Sequence, residues 1–397
     1  MQRGFWHQFG DRSQRLAEEQ LANGNGVGVI ISPRDLTFEK AIEYAESYKG
    51  AGAEVLIDQQ FYVPQFTNSR FASYPISDYR ISVSDLNPLS DHDASRLAAS
   101  LELINQRIRA NAVLAPALAY EAGRSDIDRL NGRLFQISQE VGNDLGIPTY
   151  ATVVLGQSTT TSQANLDSAL SRATSLNADG WYYAFEFPPE RVPSDADTVY
   201  RCCKAGLTLA CTGRPVLHGY AGPMALLSMG FGATGSAVGH SQNLWRFARE
   251  RWAPSNGQGG GGDAPPRFFS TTLWGTITYP DETALLSAAL QSEVLTHSPF
   301  SDPVNSNLSW PRWEANKHLI YAIGRAITDI SGNPDPRTCA QQAIDRLSSA
   351  TNLHGRIAAT GLNLGDGTNV YQDAWVRALS RLMTDGSNDY DYLSLLA

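Results

Sequence analysis

Arg214-Pro-Val-Leu-His218-Gly-Tyr220-Ala-Gly222-Pro223-Met-Ala-Leu-Leu-Ser-Met229-Gly230-Phe-Gly232-Ala-Thr234-Gly-Ser-Ala-Val238-Gly-His240-Ser-Gln242 is the stretch that decides the fold. Val216 to Tyr220 is a short β-prone run. It ends at Gly222-Pro223, where a proline suits the first position of a helix. Pro223 to Met229 is one apolar helix, too short to stand alone, and Gly230 and Gly232 stop it. Thr234 to Gly239 is a second strand of small residues. Strand, helix and strand in this order imply parallel neighbours. Polar side chains gather where the two strands end: His218 and Tyr220 on the first, His240, Ser241 and Gln242 on the second. Ligands of parallel α/β folds bind at the carboxyl ends of strands, so this is a site.

The same alternation continues on both sides. Apolar strand signals fall near residues 27, 54, 112, 149, 180, 214, 234 and 267, with helical signals between them. Asp126 to Leu145 is the clearest helix, carrying Leu130, Leu134, Ile137 and Val141 on one face. Eight such units predict an α/β chain built as a (β/α)8 barrel of TIM type over residues 26–285. Residues 1–25 read as an N-terminal segment and 286–397 as a helical C-terminal extension. The stretch 64–88 reads as an excursion over the barrel mouth, and the glycine tract 257–262 as a loop beside it. That tract has no lysine and no helix start after it, so it is no Walker loop.

Of the 397 residues, 42% are hydrophobic and 18% charged, which suits a globular chain. No apolar run approaches the ~20 residues that span a bilayer, and residues 1–20 lack the apolar centre of a secretory signal. A cytoplasmic protein without membrane contact is expected. The formal net charge of −9 disfavours a broad phosphate-binding surface. The four cysteines form no Cys-x-x-Cys pair, so reduced structural thiols are expected, with no metal and no cofactor.

Candidate chemistry falls on strand ends. Asp58 follows Val55-Leu56-Ile57 and is the expected nucleophile or base. Glu186 sits in Tyr-Tyr-Ala-Phe-Glu-Phe, where burial would raise its pKa and suit a general acid, or where an arginine such as Arg214 would pair with it. Glu121, Gln157, Trp181, His218, Tyr220, His240 and Gln242 are the expected substrate-binding residues. Asp58, Glu186, His218 and His240 are expected around one pocket. Trp245, Phe247 and Trp252 either stack on a base or pack a helix on the barrel.

Several segments together resemble the tRNA-guanine transglycosylase superfamily. Val55-Leu56-Ile57-Asp58 with Phe61-Tyr62-Val63 is similar to that family's strand with an Asp before an aromatic and a valine. Val154-Leu155-Gly156-Gln157 is similar in place to its Val-Gln-Gly-Gly strand end. Ala178-Asp179-Gly180-Trp181-Tyr182 resembles its Phe-Asp-Gly-Tyr step. Arg214-Pro215 through Met224-Ala225-Leu226-Leu227 to Gly232 resembles its strand, glycine turn and short helix. The likeness runs roughly from residue 50 to 250. The family's nucleophilic Asp has no counterpart in Ser236-Ala237-Val238-Gly239-His240, and its Cys-x-Cys-x-x-Cys zinc motif is missing. The resemblance implies acid–base work by Asp58 on a nucleobase, a nucleoside or a 7-deazaguanine-type modification, in nucleic-acid modification or anti-phage defence. Two other functions compete: a barrel glycoside hydrolase with paired carboxylates drawn from Asp58, Glu121 and Glu186, and a non-catalytic barrel that binds a protein partner or a second copy.

Overall fold

The computed structural model describes residues 1–10, 12–63, 69–79, 89–187, 192–252, 265–301, 309–364 and 371–396, with the side chains at 78, 79 and 242 outside that set. The glycine tract at 257–262 and most of the 64–88 stretch therefore lie outside the described residues.

Eight parallel strands form one sheet: β1 Gly4–Gln8, β2 Gly28–Ile31, β3 Glu54–Ile57, β4 Val113–Leu114, β5 Thr149–Leu155, β6 Gly180–Phe185, β7 Val216–His218 and β8 Gly235–Val238. Their order is β3-β2-β1-β8-β7-β6-β5-β4, so the first and last strands in sequence order are not the sheet's edges. The gap between β3 and β4 is bridged at Asn111, whose amide donates to the Val55 carbonyl at 2.9 Å while its side chain accepts from the Val55 amide at 2.9 Å. The result is a nearly closed (β/α)8 barrel. Helices lie between the strands and a helical region follows.

The number of strands matches the sequence reading, but two members differ. The segment before residue 26 supplies β1, which pairs with both β2 and β8 and closes that side of the sheet. Gly4-Phe5-Trp6-His7-Gln8 ends in two polar residues and gives no apolar run, so nothing local marks it as a strand. Both are buried: His7 Nε2 lies 2.9 Å from the Asn25 carbonyl, and Gln8 faces the barrel interior. Conversely, β9 Arg267–Ser270 is no barrel strand. It pairs antiparallel with β10 Gly275–Thr278 as a separate hairpin.

The helix Arg312–Ser331 packs against β1, against helix Ser13–Ala22 and against helix Ala225–Gly230, covering the outer side of β1. Contact is close: a Cβ on Gly324 would stand 2.4 Å from Asn25 Oδ1 and 2.8 Å from a Phe5 ring carbon. Helix Pro336–Ala358 then packs on Ala225–Gly230, and Tyr371–Asp385 on Ala196–Ala210. These helices share one buried apolar cluster with the outer faces of β5 and β6. Their burial supplies much of the hydrophobic stabilisation, at about 25 cal/mol per Å².

Inside the barrel a second cluster gathers the opposite faces: Trp6, Ile30, Leu56, Tyr150, Tyr182 and Leu217, with Tyr220, Phe247 and Trp252 at the mouth. No described helix is long and apolar enough to cross a membrane.

Candidate functional site

Strand β3 is buried on both faces, and successive side chains alternate between them. Val55 and Ile57 face the outer layer, Leu56 the interior, and Asp58, one step past the strand, follows Leu56 inward. Asp58 is 2% exposed. Three tyrosine hydroxyls reach it from different elements. Tyr62 donates to Oδ1 at 2.6 Å and Tyr220, just after β7, to Oδ2 at 3.1 Å. Tyr182 of β6 lies 3.2 Å from Asp58 Oδ2 and 3.2 Å from Gln8 Oε1, sharing one proton between them. The Gln60 amide donates to Oδ1 at 3.0 Å. The Gln60 side chain donates to Ser32 Oγ at 2.8 Å and approaches Tyr220 Oη at 3.3 Å. The ring of contacts thus draws on the carboxyl ends of β1, β2, β3 and β7, where barrel chemistry collects, and on Tyr182 within β6.

Burial pushes the Asp58 carboxyl up to about 6, and the hydrogen bonds from Tyr62, Gln60, Tyr220 and Tyr182 hold it from rising further. Burial likewise lifts Tyr62, Tyr182 and Tyr220 well above the usual phenol range, so all three remain donors. Gln60 and Tyr220 both adopt left-handed backbone, at φ 56° and 54°. Such conformations cost energy in residues with a Cβ and cluster at functional sites. Gly219 makes room for the ring: a Cβ there would stand 2.6 Å from Tyr182 Oη.

The segment after β8 roofs this cluster. Phe247 packs edge-on to Tyr62 at 5.0 Å between ring centres, and Trp252 lies 5.3 Å from Tyr62 and 6.0 Å from Tyr220. The Arg251 guanidinium sits 5.6 Å from the Tyr220 ring centre and 5.3 Å from that of Trp252. Phe247 and Trp252 therefore pack on Tyr62 and Tyr220, two of the tyrosines that hold Asp58, whereas the Trp245 side chain is buried in the outer cluster.

Glu186 serves the roof. Its carboxylate accepts from Arg249 Nε at 2.9 and 3.0 Å, from Arg249 Nη2 at 2.8 Å and from the Gln157 amide at 2.8 Å. Arg249 also pairs with Glu121, which accepts from Ser158 Oγ. The arginine partner expected near Glu186 is thus Arg249, not Arg214. Gln157 contributes its backbone amide, its side chain being exposed.

The expected single pocket does not form, because strand phase sends other candidates outward. Trp181 points out of the barrel and donates from Nε1 to Thr212 Oγ1 at 2.8 Å. His218 pairs in register with Tyr183, on the outer face. Its Nδ1 lies 2.8 Å from Ser228 Oγ, and its ring stacks on Tyr183 at 5.1 Å. His240 follows β8, but its Nδ1 meets Ser13 Oγ at 2.9 Å and its ring packs near Trp313. Gln242 begins a short turn, Gln242–Leu244, and its side chain lies outside the described residues. Of the expected site, Asp58 and Tyr220 come together. Tyr62, Tyr182, Gln60, Gln8 and Arg251 join them. The pair Tyr182-Tyr183 gave the one sequence signal for a second tyrosine, without saying which faces in.

Among the described residues no three His, Cys, Asp or Glu side chains group as a metal site. No family model and no curated protein matches this chain.

The buried titratable groups give a pH signature. Burial holds His7 at about 4, His218 at about 3 and His318 at about 4, all below the ordinary 6.5. Below 6.5 the unfolded chain binds these protons and the native chain does not, so stability falls as pH drops from 6.5 toward 4. Asp58 works the other way: between 3.8 and about 6 the native state holds the extra proton, so Asp58 favours folding as pH falls through that window. Three histidines outweigh one aspartate. The urea midpoint is expected to fall between about pH 7 and about pH 4.5. A midpoint that rises toward acid would mean that Asp58 dominates.

Proposed function

We propose that the barrel mouth binds a small planar ligand of nucleobase type and that Asp58 exchanges a proton with it. The observation that supports this most is the Asp58 carboxyl itself, buried at a strand end, pushed up to about 6 and roofed by aromatic rings. A general acid or base works best with a pKa near the operating pH. Phe247 and Trp252 place aromatic rings, the side-chain type on which a planar base stacks, against Tyr62 and Tyr220, and Tyr220 is held in a strained backbone beside them. The resemblance of residues 50–250 to transglycosylases supports the same ligand class, with Asp58 in the matching position. Strand β8 carries no acid, so Asp58 is the carboxylate assigned to the chemistry.

A paired-carboxylate glycosidase is less well supported. Glu186 and Glu121 both spend their charge on Arg249, which leaves neither as a free acid opposite Asp58.

Titration with guanine or guanosine tests the reading. Quenching of tryptophan fluorescence is expected below about 1 mM, with Asp58→Asn weakening the ligand by about tenfold or more. No purine effect at millimolar concentration would sink the proposal and favour a barrel that binds a protein partner.

A further inference from the structure

The unpaired nitrogen atoms around the tyrosine ring point to a second feature of the ligand. Gln8 is 1% exposed, and its Oε1 is occupied by Tyr182, yet its Nε2 has no partner. Trp252 is fully buried and its Nε1 has no partner. Arg251 faces Tyr220 and Trp252, its Nη1 is buried without a partner, and among the described residues no carboxylate forms a salt bridge with it. Asp58 forms no ion pair with Arg251; its oxygens accept from Tyr62, Tyr182, Tyr220 and the Gln60 amide. All three unpaired atoms are donors, and one carries a full positive charge.

Buried donors without acceptors are rare in native proteins, since each costs the full desolvation of its group. A ligand that brings oxygen acceptors to these positions removes that cost. A guanidinium favours an anionic one, because charge-assisted hydrogen bonds are the stronger kind.

We infer that the mouth holds an anion subsite, built on Arg251 with Gln8 and Trp252, which takes a phosphate-type group carried by the ligand. The inference rests on the nucleobase reading for the rest of the ligand, but its chemistry is separate. Asp58 and the tyrosines deal with the base, and Arg251 with the charge.

Calorimetric titration of the full chain with guanosine 5′-monophosphate, guanosine and ribose 5-phosphate separates the two. The monophosphate is expected to bind about tenfold or more tighter than guanosine. Arg251→Met should bring that ratio to about twofold or less, and Arg251→Lys should keep part of it. Gln8→Met, a similar volume without the donor, should lower the ratio in the same direction. Urea midpoints of the variants confirm that each is folded. A wild-type ratio near unity, or one that survives Arg251→Met, overturns the inference. Guanosine binding with no gain from phosphate leaves the nucleobase reading intact and removes the anion subsite. Ribose 5-phosphate binding that depends on Arg251, with no guanosine binding, does the reverse. If none of the three binds, both readings fall.

Discussion

Asp58→Ala is expected to lower the stability of this barrel by about 3 kcal/mol at neutral pH, while Asp58→Asn is expected to stay within about 1 kcal/mol of the wild type. The alanine removes the acceptor of three buried donors, the Tyr62 and Tyr220 hydroxyls and the Gln60 amide, while Tyr182 keeps Gln8 Oε1. Each orphaned group costs about 1–3 kcal/mol. Against that stands relief of the carboxylate's own burden. A pKa raised from 3.8 to about 6 makes the ionised form costly by about 3 kcal/mol once pH exceeds 6. Asparagine sheds that cost and keeps one acceptor. Its amide can donate to Tyr182 or Tyr220, because a hydroxyl accepts as well as donates. The two substitutions therefore part company, with the isostere stable and the truncation not. Urea unfolding at about pH 7.5 measures both. Should Asp58→Ala unfold within about 1 kcal/mol of the wild type, the tyrosines do not depend on this carboxylate. A position that becomes no less stable when its charge is removed, yet loses its ligand, is one kept for function rather than folding.

Arg249→Met is the second large effect, expected to cost about 2–3 kcal/mol and to loosen the roof. It strips the cation from between Glu186 and Glu121, whose side chains are 8% and 16% exposed. Two carboxylates then face each other, in a setting where breaking a buried pair costs about 3–5 kcal/mol. The figure is discounted because Arg249 is itself 33% exposed and solvent screens part of the attraction. The same arginine fixes residues 247–252 to the ends of β5 and β6, through Glu186 and the bridge between Glu186 and Phe247. Its loss should shift tryptophan emission to the red as Trp252 meets water, and weaken purine binding even though Arg249 makes no hydrogen bond to Asp58. Arg249→Met combined with Glu186→Gln should recover about half of the lost stability, by removing one of the two repelling charges. Unchanged emission and an unchanged urea midpoint would mean that the roof is held by its aromatic packing alone.

Much of the architecture was legible because it is written in local signals. The Gly222-Pro223 turn, the terminal Gly230 and Gly232, and the helix over Ser125–Leu145 all follow from short-range geometry that neighbouring residues impose. Asp195 caps the helix that begins at Ala196 by accepting from the Thr198 amide. Strand β1 was hidden because its burial depends on hydrogen bonds to Asn25 and Tyr182, which lie 18 and 174 residues away. The strand at Arg267 carries the right residues for a barrel strand, and only its antiparallel pairing with Gly275–Thr278 excludes it.

By itself the sequence determined a chain of alternating strands and helices, seven of the eight barrel strands, and an acid at the end of the strand Glu54–Ile57. These depend on hydrophobic runs and turn residues within a few positions of one another. Only the tertiary structure decided what meets that acid. A barrel strand is buried on both faces, so Trp181 and Tyr182, or Leu217 and His218, carry no alternation that tells inside from outside. Barrel closure sets that phase. It brings Tyr182 and Tyr220 to Asp58 across 124 and 162 residues, sends His218 to Ser228 on the outer layer, and ties Glu186 to Arg249.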